Sequence, residues 1–207
     1  MQNIKNIVFD LGGVIIDIDV PTTFENFALA SQKTTDEVTQ LFINNLLFER
    51  HETGNLSDEA FRIEIIRLLD LPENYEQIDQ VWNTLLLAIP VERIELIRLL
   101  SKKYRVFLLS NTNHIHYVEV ENILHKATGI KSFDDLFEKV YLSYQIGLRK
   151  PHAPIYEHVL LDSKLIPAET LFIDDNSDNI LGASALGIQT IHIQLPNTIL
   201  DHLKAYV

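Results

Sequence analysis

Residues 6–19 read NIVFDLGGVIIDID, and this stretch decides the fold. Ile7, Val8 and Phe9 form an apolar run with no polar alternation, which predicts a strand buried on both faces, as in a parallel sheet. Asp10 ends the run, where a buried strand would deliver a carboxylate to the edge of a sheet. Gly12 and Gly13 follow and allow a tight turn of the backbone. The position two residues after Asp10 is therefore glycine, where a second acid would simplify proton transfer.

The same signature recurs further along the chain. RVFLLS (105–110), TLFIDD (170–175) and IQTIHI (188–193) are short apolar runs, and FEKVYLS (137–143) is a weaker one. Helical patterns separate them. VERIELIRLLSKKY (91–104) places Ile94, Ile97 and Leu100 at helical spacing, HAPIYEHVLLDS (152–163) follows, and NSDNILGASALG (176–187) ends on Gly187 as an expected C-terminal cap. Strands alternating with helices and joined by right-handed crossovers predict an α/β fold with a doubly wound parallel sheet of Rossmann type.

Residues 21 to 88 break the alternation and contain no good strand candidate. TTFENFALAS (22–31), TTDEVTQLFINNLLFERHET (34–53), SDEAFRIEIIRLLD (57–70) and YEQIDQVWNTLLLA (75–88) read as amphipathic helices, with turns at TGNLS and LPEN. The second and third open on Thr or Ser followed by acids, a helix-start pattern. The expected division is a core of residues 1–18 and 89–207 with an all-helical cap at 19–88, placed as a lid over the carboxyl ends of the strands. Phe24, Phe27, Phe42, Phe48 and Trp82 are expected mainly in the cap's interior, and Arg50, His51 and Glu52 are better placed to touch substrate.

Composition narrows the function. The 207 residues are 46% hydrophobic with a net charge of −12, and there is no cysteine. The negative charge argues against nucleic acid and anionic membrane as partners. A thiol nucleophile and a disulfide framework are excluded. No run approaches the length of a membrane span, and a cytoplasmic protein is expected.

Ligands of open α/β sheets bind outside the carboxyl ends of the strands. The residues there are Asp10 after the first strand, Ser110 and Asn111 after the second, Lys150 before a helix, and Asp174 and Asp175 after a later strand, followed by Asn179. Taken singly, each is an ordinary turn residue, helix cap or surface lysine. Together they are the parts for phosphoryl transfer. Acids that converge repel one another unless a hard cation joins them, and an aspartate can attack phosphorus while hydroxyl, backbone N–H and ammonium groups receive the phosphoryl oxygens.

VFDLGGV, LLSNTN, GLRKPHAPIY and LFIDDNSDNILGA, taken in order, resemble the four motifs of the haloacid dehalogenase-like hydrolase superfamily. The helical insert resembles that superfamily's small alpha-helical cap, and the chain resembles small bacterial phosphatases acting on glucose 1-phosphate and related compounds. The resemblance implies a Mg2+-dependent phosphomonoesterase working through an aspartyl-phosphate. Asp10 would be nucleophile and metal ligand, and the Gly12 carbonyl a second ligand. Asp175 would be a direct ligand, with Asp174 in or just behind the coordination sphere. Ser110 and Asn111 would bind the phosphoryl group, Lys150 would neutralise charge, and Asn179 would support the site. The expected partner is a small phosphorylated substrate, for a chain acting as monomer or dimer.

Gly12 departs from the pattern, because most phosphatases of the superfamily carry an aspartate there that protonates the leaving oxygen and then activates water. Asp17 or Asp19 could replace it by swinging inward, although both also suit a solvated hinge. His114 and His116 are expected on a helix surface. A metal-free dehalogenase, which uses the same aspartate on carbon, tolerates Gly12 but has no use for Asp174 and Asp175. A non-catalytic binding protein is supported by Gly12 alone.

Overall fold

The computed structural model describes residues 4–207. Among these, five strands form one parallel sheet: β1 (Asn6–Phe9), β2 (Arg105–Ser110), β3 (Lys139–Leu142), β4 (Thr170–Asp174) and β5 (Gln189–His192). Their order is β3-β2-β1-β4-β5. The chain winds outward from β1 in one direction, then returns to lay β4 and β5 on the other side. The crevice where the winding reverses lies at the carboxyl ends of β1, β2 and β4, and ligands of such sheets bind there.

The helices, in chain order, are α1 (Val20–Ser31), α2 (Thr35–Asn44), α3 (Leu47–Glu52), α4 (Asp58–Leu69), α5 (Tyr75–Trp82), α6 (Val91–Leu100), α7 (His114–Thr128), α8 (Ser143–Ile146), α9 (Ala153–Asp162), α10 (Ser177–Ser184) and α11 (Ile199–His202). None is long and apolar enough to cross a membrane. Side chains alternate across the sheet and bury on both faces. Ile7, Phe9, Leu108 and Ile173 join the cluster built with α6, α7 and α11. Val8, Phe107, Leu109 and Phe172 join that of α9 and α10. Burial on both faces holds for β1, β4 and nearly all of β2, whereas the edge strands β3 and β5 stay partly open to solvent.

Helices α1 to α5 form a separate apolar cluster around Phe27, Phe42, Phe61, Ile65 and Trp82, which Ile115 of α7 also enters. Trp82 therefore packs against the sheet-bearing part of the chain as well as within the helical insert. The two segments that lead into and out of the insert pair with each other. Ile18 and Leu86 form an antiparallel bridge, Leu87 N–H donates to the Asp17 carbonyl (3.0 Å), and Asp19 N–H donates to that of Leu85 (2.8 Å).

Several helix boundaries differ from the sequence expectation. The helix expected over 34–53 is two helices. Asn45 Nδ2 donates to the Leu41 carbonyl (2.8 Å), and Leu46 adopts φ +50°, which ends α2 and redirects the chain. The helix expected over 75–88 ends at Trp82, and the chain continues through a 3-10 turn into the paired segment just described. Gly187 does not cap α10 directly. The helix ends at Ser184, and Gly187, at φ +79°, closes the next turn by donating to the Ser184 carbonyl (2.9 Å). The Thr34 and Ser57 starts are helix caps, and Thr34 forms a reciprocal capping box with Glu37.

Candidate active site

Asp10 leaves the end of β1 with its backbone N–H bonded to the Ile173 carbonyl (2.9 Å), which fixes its side chain between β2 and β4. Its Oδ1 accepts from Leu11 N–H and is paired with Lys150 Nζ, each at 2.7 Å. Both contacts fall on Oδ1 and leave Oδ2 to react or to bind a cation. Lys150 is 1% exposed, and its Nζ also donates to Asp174 Oδ2 (2.7 Å) and the Leu109 carbonyl (3.1 Å). All three of its N–H bonds are engaged, so this lysine neutralises the site from within the fold.

Asp174 is fully buried at the end of β4. Asn176 N–H donates to its Oδ1 (2.8 Å), and Asn179 Nδ2 lies 3.0 and 3.1 Å from its two oxygens. Asn179 thus supports the cluster, held in turn by the Tyr156 hydroxyl, which donates to the Asn179 carbonyl (2.8 Å). The Asn111 side chain is engaged with the backbone of Lys150. Its Nδ2 donates to the Lys150 carbonyl and its Oδ1 accepts from Lys150 N–H, each at 2.9 Å. Its side chain therefore positions the lysine. The buried Ser110 hydroxyl makes one long bond, 3.4 Å to the Asn111 carbonyl, and is free to turn toward a ligand.

Oxygens of Asp10, Asp174 and Asp175 lie within 4.8 Å of one another. Burial and the neighbouring Asp174 push the Asp10 carboxyl well above the ordinary carboxylate range, against the pull of Lys150. Asp175 has an edge open to solvent, yet the protein crowded around it and Asp174 beside it raise its carboxyl as well. Burial alone would lower the Lys150 ammonium, but Asp10 and Asp174 outweigh it and hold it above its usual value. Three carboxylates thus face one ammonium. The surplus charge and the all-oxygen donor set fit a hard divalent cation held by Asp10 and Asp175, while Asp174 is already engaged with Lys150, Asn176 and Asn179.

Beside these acids lies a cleft of about 140 Å3, lined in part by Gly12, Ile18, Phe48, Glu52, Ser110 and His116. It contains residues from the helical insert as well as from the sheet. Larger hollows, of about 480 and 760 Å3, lie over α2 and at the amino ends of the strands, remote from the carboxylates.

The two acids downstream of Gly12 are anchored elsewhere. Asp17 pairs with the buried Arg93 (2.8 Å), and Asp19 caps α1 through Thr22. His114 is exposed, but His116 is buried, contrary to the surface position expected for it. Its Nδ1 lies 3.0 Å from Asn113 Nδ2 and its Nε2 3.1 Å from the Trp82 carbonyl. Of the three insert residues singled out in the sequence, Arg50 pairs with Glu64 and His51 with Asp58, which leaves Glu52 at the cleft. Sequence reasoning missed Arg149, which pairs with Glu52 across the join (3.0 Å), and its one visible cue is adjacency to Lys150.

The chain is similar to known proteins in family and fold. Residues 4–187 match the family model of haloacid dehalogenase-like hydrolases. A D-ribitol-5-phosphate phosphatase of Bacteroides thetaiotaomicron is 36% identical over 187 residues, covering 90% of each chain. The crystal structure of a haloacid dehalogenase family enzyme from the same species, in complex with magnesium and inorganic phosphate, is 35% identical. It superposes with a TM-score of 0.87 over 97% of this chain and 99% of its own. A haloacid dehalogenase-like hydrolase structure from Porphyromonas gingivalis is 32% identical and gives 0.88 over 98% and 97%.

Proposed function

Since the chain belongs to the haloacid dehalogenase-like hydrolases, we propose that it is a Mg2+-dependent phosphomonoesterase acting on a small sugar or polyol phosphate through an aspartyl-phosphate on Asp10. The observation that carries this reading is the cluster itself, a carboxylate with one free oxygen at the end of β1 beside a buried lysine and two further acids. The similarity to a ribitol-5-phosphate phosphatase and to a magnesium–phosphate complex supports the substrate class and the metal.

In this mechanism Asp10 Oδ2 attacks phosphorus and the ester oxygen leaves; water then releases phosphate and restores the carboxylate. Asp10, Asp175 and the Gly12 carbonyl would hold Mg2+, which supplies charge neutralisation for the phosphoryl oxygens when bound. Lys150 favours the ionised form of Asp10 and aligns it, and Asn111 and Asp174 keep Lys150 in place. The Ser110 hydroxyl turns to a phosphoryl oxygen. Residues 19–88 serve as a cap that closes the small cleft and excludes water, with the paired segments at Ile18 and Leu86 as its joint.

The test is a panel of phosphorylated sugars and polyols assayed with Mg2+ and with excess chelator. Turnover should require the metal. Asp10→Asn should reduce it by roughly 10⁴-fold or more, the scale of removing an activated nucleophile. Full activity in chelator, or substantial activity in the Asp10→Asn enzyme, would overturn the assignment.

A further inference from the structure

A hydrolase of this kind moves two protons, one onto the departing oxygen and one off the attacking water, and Gly12 can move neither. Asp17 and Asp19 are held by Arg93 and by the start of α1. Among the residues lining the cleft beside Asp10, two carry titratable side chains, His116 and Glu52. Both nitrogens of His116 are occupied, and burial drives its pKa down to about 3, so it has no proton to give at neutral pH.

Glu52 is different. It sits at the end of α3, on the insert, and reaches the cleft with its side chain 15% exposed. Its partner Arg149 touches Oε2 alone (3.0 Å), and among the described residues Oε1 accepts no hydrogen bond. The insert's own ion pairs, Arg50 with Glu64 and Arg62 with Asp79, are by contrast two-pronged and saturated. Burial raises the Glu52 carboxyl above its ordinary value, with Arg149 pulling the other way. The end of α3 is also held firmly against the sheet-bearing part. A Cβ at Gly54, which lies at φ +70°, would stand 2.5 Å from the Tyr144 carbonyl oxygen, so only glycine permits that approach.

We propose that Glu52 is the proton shuttle of this enzyme, supplied by the cap in place of an aspartate at position 12; the inference rests on the phosphatase reading above. In the first step the Glu52 carboxyl gives its proton to the ester oxygen as the P–O bond breaks and the bond from Asp10 Oδ2 to phosphorus forms. In the second, the Glu52 carboxylate takes a proton from water as the water oxygen bonds to phosphorus. The bond to Asp10 then breaks, phosphate leaves, and both side chains return to their starting states.

The experiment compares a nitrophenyl phosphate, whose leaving group needs no proton, with a pentitol phosphate, whose leaving group does. Glu52→Gln should lower kcat/KM for the alkyl ester by roughly 10²- to 10⁴-fold, the usual contribution of general acid–base catalysis. With the aryl ester it should leave a rapid burst of nitrophenolate stoichiometric with enzyme, followed by slow turnover. Position 12 lies outside the left-handed region, and a Cβ there would stand 3.4 Å from Ile18, an ordinary contact. Gly12→Asp in the Glu52→Gln background should therefore recover the alkyl ester at least tenfold. Arg149→Met breaks the ion pair and keeps the carboxylate, so it should lower both esters alike and show no burst. Equal loss on both esters without a burst in Glu52→Gln, no loss at all, or an Arg149→Met enzyme that copies Glu52→Gln would overturn the proposal. If the wild type with Mg2+ cleaves neither ester and Asp10→Asn matches it, the phosphatase reading itself fails and takes this one with it.

Discussion

Gly13 lies at φ +69°, and a Cβ there would fall 2.1 Å from Asp175 Oδ2. The carboxylate occupies the space that any other residue would fill, so Gly13 is part of the geometry that lets Asp10 and Asp175 converge. This gives a prediction with a thermodynamic readout. A metal at a hundred times its Kd stabilises the folded state by about 2.7 kcal/mol, which raises Tm by roughly 5–10 °C for a domain of this size. In the wild type, Mg2+ should produce such a shift. In Gly13→Ala, where Asp175 must move aside, less than half of it should remain; an undiminished shift in calorimetry would refute this role. At this scale the sequence shows its acids and its lysine plainly, because the acids end apolar runs and the lysine stands just before a helical pattern. It does not show that Asn111 serves Lys150 or that Glu52 meets Arg149, since those partners are 39 and 97 positions apart. Such pairings exist only once the sheet brings them together.

The strands were legible as elements because a short apolar run without alternation needs protein on both sides of it, and a parallel sheet between helices supplies that. All five runs contain a strand. Helix ends were less so. Residues 34–53 keep a helical pattern throughout, yet the chain breaks at Asn45 and Leu46 so that Leu47 and His51 can turn into the interior. Nothing in the local pattern marks this, because tertiary burial decides it. Leu46 holds φ +50° with the residue 54% exposed. The left-handed conformation costs an L-residue roughly 1–2 kcal/mol, and an exposed leucine recovers little of it by packing. Leu46→Gly should therefore stabilise the protein by about 1 kcal/mol in urea unfolding without changing the assembly of α2 and α3. A destabilised variant would show that the leucine contributes contacts that outweigh the strain.

At the scale of the whole molecule, the helical insert is bonded to the sheet-bearing part at several separate places. Glu52 pairs with Arg149, Asp58 Oδ2 with His114 Nδ1 at 2.7 Å, and Trp82 with α7. The last of these is sensitive to acid. The His116 ring stacks on Trp82 with centroids 4.6 Å apart, donates from Nε2 to the Trp82 carbonyl, and accepts at Nδ1 from Asn113. A proton on Nδ1 would remove that acceptor and place an unpaired charge in an apolar joint. Burial accordingly lowers the folded-state pKa from the ordinary 6.5 to about 3. Between those values the unfolded chain binds a proton that the folded one does not, so this residue's contribution is complete above about pH 6.5 and is lost as the pH falls toward 3. The loss from one such proton approaches about 1.4 kcal/mol per pH unit. His51, stacked on Phe61 and likewise lowered by burial, acts in the same direction. His116→Gln, which keeps a donor for the Trp82 carbonyl, should be less stable than the wild type at pH 7. Its unfolding free energy should decline between about pH 6 and 4.5 with a slope smaller by nearly one proton. Because the carboxylates are common to both proteins, the difference in slope isolates the histidine. Parallel slopes in urea titrations across that range would show that His116 does not govern the acid sensitivity of the joint.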